Sequence, residues 1–264
     1  MRLMKKTVFY SLVFYSAVIA PSADAREISY RYFFHEQMTA QEACDRAKRE
    51  IKRQALSREL GEVLQSQIFQ QCTDRNGQMN KCDTYTDVLA MTELGFVKSF
   101  EVLERDLQVL PTGQACFVKA DVQVEQFVGK PDPDFHVSGQ ILPGPVLRDG
   151  DPIQLDIQAP DQSHLFIFAG RDGGDFALLD ARVFSKQSGS IIPNEASPFE
   201  WMAENTALVE SGERFWVVAS KEKRVFPEQL TESELFQQLN RADRATWDAH
   251  LIGFRVLPKG QKGE

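Results

Sequence analysis

The chain has 264 residues, 42% of them hydrophobic and 26% charged, with a formal net charge of −8. This is a globular composition with ample material for a core, and it excludes low-complexity and collagen-like chains. The acidic balance argues against nucleic acid and against polybasic attachment to a membrane, both of which need clustered positive charge.

In chain order, the first segment reads as a leader. "MRLMKK" is short and basic, "TVFYSLVFYSAVIA" is apolar, and "PSADA" ends in small residues at Ala23 and Ala25. That is the three-part pattern of a secretory signal peptide over residues 1–25, and the apolar run is short for a membrane span. Cleavage after Ala25 would remove Arg2, Lys5, Lys6 and Asp24, leaving a charge of about −10 from Arg26 onward. No cysteine follows the cleavage point to carry a lipid, and no later segment is apolar enough to span a bilayer. The expected location is the periplasm, with a position peripheral to the outer membrane as one option.

Residues 26–127 read as a first domain. "EISYRYFF" alternates like a strand. "HEQMTAQEACDRAKREIKRQALSRELG" reads as a helix, with Thr39 and Glu42 as a capping-box signature and Gly61 at its end. "VLQSQIFQQC" and "CDTYTDVLAMTEL" follow as strands around a loop with an Asn-Gly turn signal. "FVKSFEVLERDLQVL" and "ACFVKADVQVEQF" add two more, joined by "PTGQ". The order β-α-β-β-β-β implies an antiparallel sheet with one long helix packed on one face. Residues 128–145, rich in Pro, Gly and Asp, read as a linker. Residues 146–258 read as a second domain of short strands separated by turns, a β-sandwich with a short helical insertion at "TESELFQQLNRADRATWDA", capped by Thr231 and Glu234. "HLFIFAG" is apolar on both faces and is expected at the centre of its sheet. Residues 259–264 read as a tail. The fold class is therefore α+β.

The four cysteines are even in number, which in an oxidising compartment reads as disulfides. Ala40, Cys44, Ala47, Ile51 and Ala55 recur at steps of three and four along the helix. Cys116, Val118, Ala120, Val122 and Val124 share one face of a strand. Both Cys44 and Cys116 thus point to one interface, and Cys72 and Cys82 flank the hairpin loop around Gly77. The expected pairs are Cys44–Cys116 and Cys72–Cys82, since a disulfide requires close Cβ atoms. Neither a zinc site nor a redox pair has the spacing it needs.

Chemistry-bearing motifs are sparse. "HEQMT" at His35 places Thr39 where a zinc protease needs a second histidine, and neither a nucleophile elbow, a phosphate loop nor a dinucleotide fingerprint occurs. Nothing calls for a metal or cofactor, and no enzyme is expected. Two surfaces offer binding. Arg46, Lys48, Arg49, Lys52 and Arg53 make one side of the first helix basic, either as a solvated face or as a dock for an acidic partner. Trp201, Trp216 and Trp247 offer ring faces to a small ligand or glycan, or else to the core.

Gly150-Asp151, Leu165-Phe166-Ile167-Phe168 and Ile192-Pro193-Asn194 lie within "LRDGDPIQLDIQAPDQSHLFIFAGRDGGDFALLDARVF" and "IIPNEASPFEW", followed by "ERFWVVAS". On these residues the second domain resembles the bacterial family known as domain of unknown function 4384, with an insertion between Leu179 and Pro193. That resemblance covers roughly 110 residues and implies an exported β-sandwich module without known catalysis. "AQEACDRAKREIKRQALSRELG" and "GQACFVKADVQVE" resemble the N-terminal domain of the flagellar assembly protein T family and its lipoprotein relatives, although the cysteine-flanked loop departs from that pattern. This implies a periplasmic assembly or interaction module. The function expected from all of this is a non-catalytic interaction or assembly-accessory protein of the cell envelope with a protein partner, the alternative being a module for a small ligand or glycan.

Overall fold

The computed structural model describes residues 26–35, 38–61, 67–75, 78–87, 91–92, 94–111, 113–171, 174–185, 191–193, 200–205 and 211–258; for 67–75, 78–87 and Arg171 it describes the backbone alone. Among the described residues the fold is mostly β, with mainly antiparallel sheets and two α-helices.

The first sheet has three strands. β1 (Arg26–Phe34) and β4 (Gly95–Leu110) flank β5 (Gly113–Gln126), both antiparallel to it. Helix α1 (Ala40–Leu60) lies on one face. It forms there because its stripe of small and branched residues fits the alternation of β5. Ala43, Cys44, Ala47, Ile51, Ala55 and Leu56 are buried against Ile28 and Phe34 of β1 and Cys116, Val118, Ala120, Val122 and Val124 of β5. Thr39 caps the helix by accepting from the Glu42 backbone N–H, while the Glu42 carboxylate takes a hydrogen bond from Arg46. Gly61 ends it in the left-handed region at φ 68°, which favours glycine.

Cys44 and Cys116 are joined by a disulfide, with Cα atoms 5.2 Å apart. The helical and strand periodicities aim both sulfurs at the same interface. β2 (Gln67–Arg75) and β3 (Gln78–Asp87) pair antiparallel with Cys72 opposite Cys82. The Cys72–Cys82 bond concerns side chains outside those described, as does the turn at Gly77.

Part of the segment read as a linker is structural. Ser138–Leu142 forms β6, which pairs with β8 (Pro152–Gln158), and Phe135, Val137 and Ile141 enter a core. The Pro and Gly residues punctuate this short strand without displacing its apolar side chains. β8 also pairs with β11 (Ile191–Ile192) and β12 (Trp201–Met202), making a four-stranded sheet.

The largest sheet has six strands. In spatial order they are β14 (Gln229–Leu230), β10 (Phe176–Val183), β9 (His164–Arg171), β13 (Ser211–Ser220), β15 (Trp247–Leu257) and β7 (Val146–Arg148), the last parallel to β15. β9 is central and buried on both faces, as its unbroken apolar run requires. Leu165 and Ile167 join Phe215, Val217, Ile252 and Phe254 in a core shared with Leu155 and Ile157 of the four-stranded sheet. Phe166 and Phe168 face the opposite core, together with Trp216, Val218 and helix α2 (Glu232–Leu239).

The second helix is shorter than its sequence pattern implies. Thr231 and Glu234 form a complete capping box, but α2 ends at Leu239, and Asp243 caps a single 3-10 turn at Arg244–Thr246. Trp247 then begins β15, where Ser220 of β13 lies opposite it. Leu235, Phe236 and Leu239 are buried, and the polar run after them has no stripe to keep it helical.

The disulfide closes a segment with a sequence separation of 72. A loop of that size is worth about 4 kcal/mol in the chain-entropy picture. Denaturant unfolding of Cys44→Ala/Cys116→Ala is expected to show a loss of that order without loss of the α1 helix; an unchanged midpoint would contradict this.

Candidate functional site

The three tryptophans do not make one surface. Trp216 and Trp247 are 0% and 1% exposed, in the core on the α2 side of the six-stranded sheet. The indole N–H of Trp216 donates to Glu232 Oε1 at 3.0 Å. Trp201 is partly buried at the edge of the other core, stacked 5.9 Å from Phe215. Their large apolar area is used in packing, so Trp216 and Trp247 offer no ring face to a ligand.

The basic face of α1 is substantially neutralised within the first sheet and helix. Arg46 pairs with Glu42 at 2.9 Å and donates to the Tyr32 hydroxyl at 3.0 Å. Lys48 pairs with Asp45 at 2.9 Å, and Arg53 pairs with Glu50. The Arg53 hydrogen bonds hold the Glu50 carboxyl below its ordinary range. Lys52 lies 5.3 Å from the centre of the Phe100 ring. Arg49 lies on the same helix and is also engaged. Pairs at these spacings are what an isolated solvated helix uses for support.

A polar cluster sits where the first sheet meets the second core. Arg244 and Asp248 are 3% and 8% exposed and bridge at 2.8 Å. The other Asp248 oxygen accepts from the Val137 backbone at 2.9 Å and lies 2.9 Å from His136 Nδ1. The guanidinium of Arg244 stacks 4.1 Å above Trp247 and also faces Phe127. One carboxylate oxygen thus holds Arg244 and the other holds residues 136–137 to β15, which is a structural use of a His–Asp pair. Nearby, His250 Nε2 lies 3.2 Å from the Gly139 carbonyl, which can only accept, so Nε2 carries the proton. Among the described residues no group of His, Cys, Asp or Glu is arranged to hold a metal ion.

Sequence reasoning identified β4 as a strand and missed its edge. The partners of Val102, Arg105, Leu107 and Val109 on β5 are Ala120, Val118, Cys116 and Gln114, so these four lie on the α1 side of the sheet. Yet α1 covers β1 and β5, and its apolar packing on β4 is at Val97 and Phe100. Val102, Leu107 and Val109 are consequently 40%, 51% and 85% exposed, and Leu103, within the irregularity between Val102 and Glu104, is 46% exposed. The opposite side of the same stretch carries Glu101, Glu104 and Asp106, opposite Asp121, Lys119 and Phe117. Among the described residues no strand pairs with the outer edge of β4. Alternation in the sequence shows that such a strand has two faces; which face a helix covers depends on where that helix lies across the sheet.

Neither a family model, a curated protein nor a solved structure matches the chain. Among the described residues no helix is long and apolar enough to cross a membrane.

Burial lowers the pKa of His250, with the nearby His136 acting in the same direction, against the opposing pull of Gly139 and Asp248. The unfolded chain takes up this proton near pH 6.5, and the folded chain only at lower pH. The stability contributed is complete above about pH 6.5 and declines as pH falls through the folded value. Unfolding free energies measured from pH 7.5 downward are expected to fall, and His250→Gln to flatten that fall; an equal slope in the variant would contradict this.

Proposed function

We propose that the protein is an exported, non-catalytic interaction protein, an accessory to an assembly of the bacterial envelope. The observation that carries this reading is that Val102, Leu107 and Val109 are exposed on one face of a strand whose outer edge pairs with no other strand among the described residues. Exposed apolar side chains beside the backbone edge of a strand are a docking feature in a protein that must stay soluble. The Cys44–Cys116 disulfide supports an oxidising compartment. The basic, apolar and small-residue sequence of residues 1–25 supports export to the periplasm.

In this reading residues 146–258, joined by β6, are a β-sandwich, supported by the core that the four- and six-stranded sheets share. Its role is to hold the first module in place. The resemblances to the domain of unknown function 4384 and to the flagellar assembly protein T family fit an envelope accessory of this kind. The basic face of α1 is a weaker docking candidate, since Arg46, Lys48 and Arg53 are matched by acids on the same helix. A glycan site is less favoured because Trp216 and Trp247 are buried.

A photo-reactive side chain at Leu107, introduced in cells, is expected to give a discrete covalent adduct to one envelope protein. The same group at Val225, which is 86% exposed and outside the first sheet, is expected to give none. No adduct at Leu107, or the same adducts at both positions, would overturn the reading.

A further inference from the structure

We propose that the outer edge of β4 over residues 104–110 receives an extended segment of a partner protein by strand addition, and that this segment alternates basic and apolar side chains. The inference rests on the interaction reading above and names the chemistry of the partner.

β5 occupies one edge of β4 from Gly95 to Leu110. Near the start of the strand, Phe96 also bridges to Met91, and the Lys98 carbonyl accepts a hydrogen bond from Ser233 of α2. Two irregularities interrupt the ladder with β5, between Val97 and Ser99 and between Val102 and Glu104. Bulges of this kind twist an edge and discourage pairing. From residue 104 onward the register with β5 is unbroken to Leu110. Among the described residues that leaves a regular open edge of roughly 23 Å, at about 3.3 Å per residue, long enough for a typical strand.

The side chains define what can lie there. Residues 104–110 alternate in facing: Arg105, Leu107 and Val109 face the α1 side, and Glu104, Asp106, Gln108 and Leu110 face away from it. Arg105 is tied back to the helix through Gln41 Oε1 at 2.8 Å, which leaves Leu107 and Val109 as the apolar contacts. The other side is acidic beyond the edge itself. Glu101 is opposite Asp121, which is opposite Glu27 on β1, and Asp121 Oδ1 is buried without a hydrogen-bond partner. Lys119, the cation in the next row, is engaged by Glu27 at 2.5 Å. Cross-strand neighbours share a face, so an added strand must set one set of side chains beside Leu107 and Val109 and the alternate set beside Glu104 and Asp106. Apolar residues satisfy the first and Lys or Arg the second.

A second copy of this chain fits less well. Edge-to-edge antiparallel pairing about a two-fold axis keeps each side chain on its own face. It would therefore gather Glu101, Glu104 and Asp106 of both copies on one surface, where like charges oppose association.

The test uses the purified full chain and two labelled peptides of about ten residues, one alternating Val and Lys, the other alternating Val and Glu. The Val–Lys peptide is expected to bind more tightly, to slow amide exchange within residues 104–110, and to lose affinity as salt rises. Glu104→Lys/Asp106→Lys, which changes two exposed side chains, is expected to weaken it on the order of tenfold and to shift preference to the Val–Glu peptide, with the melting temperature retained. Equal binding of both peptides, no binding, protection on α1 in place of 104–110, or indifference to the double reversal would each overturn the proposal. So would a dimer of the free chain protected at 104–110, or a free chain whose 104–110 amides are already protected and cross-link to its own residues 67–87. A specific Leu107 adduct in cells combined with failure of the peptide would leave the interaction reading standing and reject the stated partner chemistry. Loss of both would reject both.

Discussion

The arrangement depends on one aromatic junction. Phe96 at the start of β4 and Phe127 just past the end of β5 stack at 5.3 Å, and both pack on Phe236 of α2. Phe127 also meets Trp247 edge-on at 4.9 Å, and Trp216 meets Phe236 at 5.0 Å. These rings come from the first sheet, the second helix and two strands of the six-stranded sheet. Aromatic side chains bury large areas and gain further from edge and stacked geometry, so the junction makes the two halves depend on each other. Polar contacts complete it. Asn240 accepts from the Val128 backbone N–H and donates to Glu125 and the Gln126 carbonyl, and the Arg244 backbone N–H donates to the Val128 carbonyl.

This junction explains why β4 has two different ends. Its first residues are drawn into the shared core, where Phe96 and Val97 are buried. Gly95 is there because a Cβ would stand 2.4 Å from the Glu125 carbonyl. Its last residues run past both α1 and α2 into solvent. A strand clamped at one end and uncovered at the other presents its backbone edge in a fixed place, with little ordering entropy left to lose on binding. The charge distribution follows the same division. Buried charge is concentrated in the Arg244–Asp248 pair at the junction, where both partners are hydrogen-bonded. The open face of the first sheet carries a carboxylate excess on Glu27, Glu101, Glu104, Asp106 and Asp121.

What the sequence revealed followed from periodicity. The three-and-four spacing of Cys44, Ala47, Ile51 and Ala55 and the alternation from Cys116 to Val124 each define a face, and two such faces that must pack bring the cysteines together. The central placement of "HLFIFAG" was legible for the same reason. Features that depend on tertiary position were not. β6 was hidden because "SGQIL" is short and lies among turn residues. The end of α2 was obscured because "NRADRATWDA" has helix-compatible composition, while Asn240 and Asp243 act as caps. The three tryptophans carry no mark of burial, and burial separates them between two cores. Residues 104–110 showed their alternation plainly, but their exposure follows from the lateral position of α1 over β1 and β5, which no local pattern encodes.

The central claim is that the junction makes one cooperative body that holds the β4 edge in place. Native-state hydrogen exchange under mild denaturant tests this most directly, because it resolves units that open separately. The account predicts that the slowest amides of β5 and those of β13 and β15 share one opening free energy, and that Phe236→Ala lowers both together, by about 3–5 kcal/mol. An opening of β5 and α1 at distinctly lower free energy than β13, unaffected by Phe236→Ala, would contradict it.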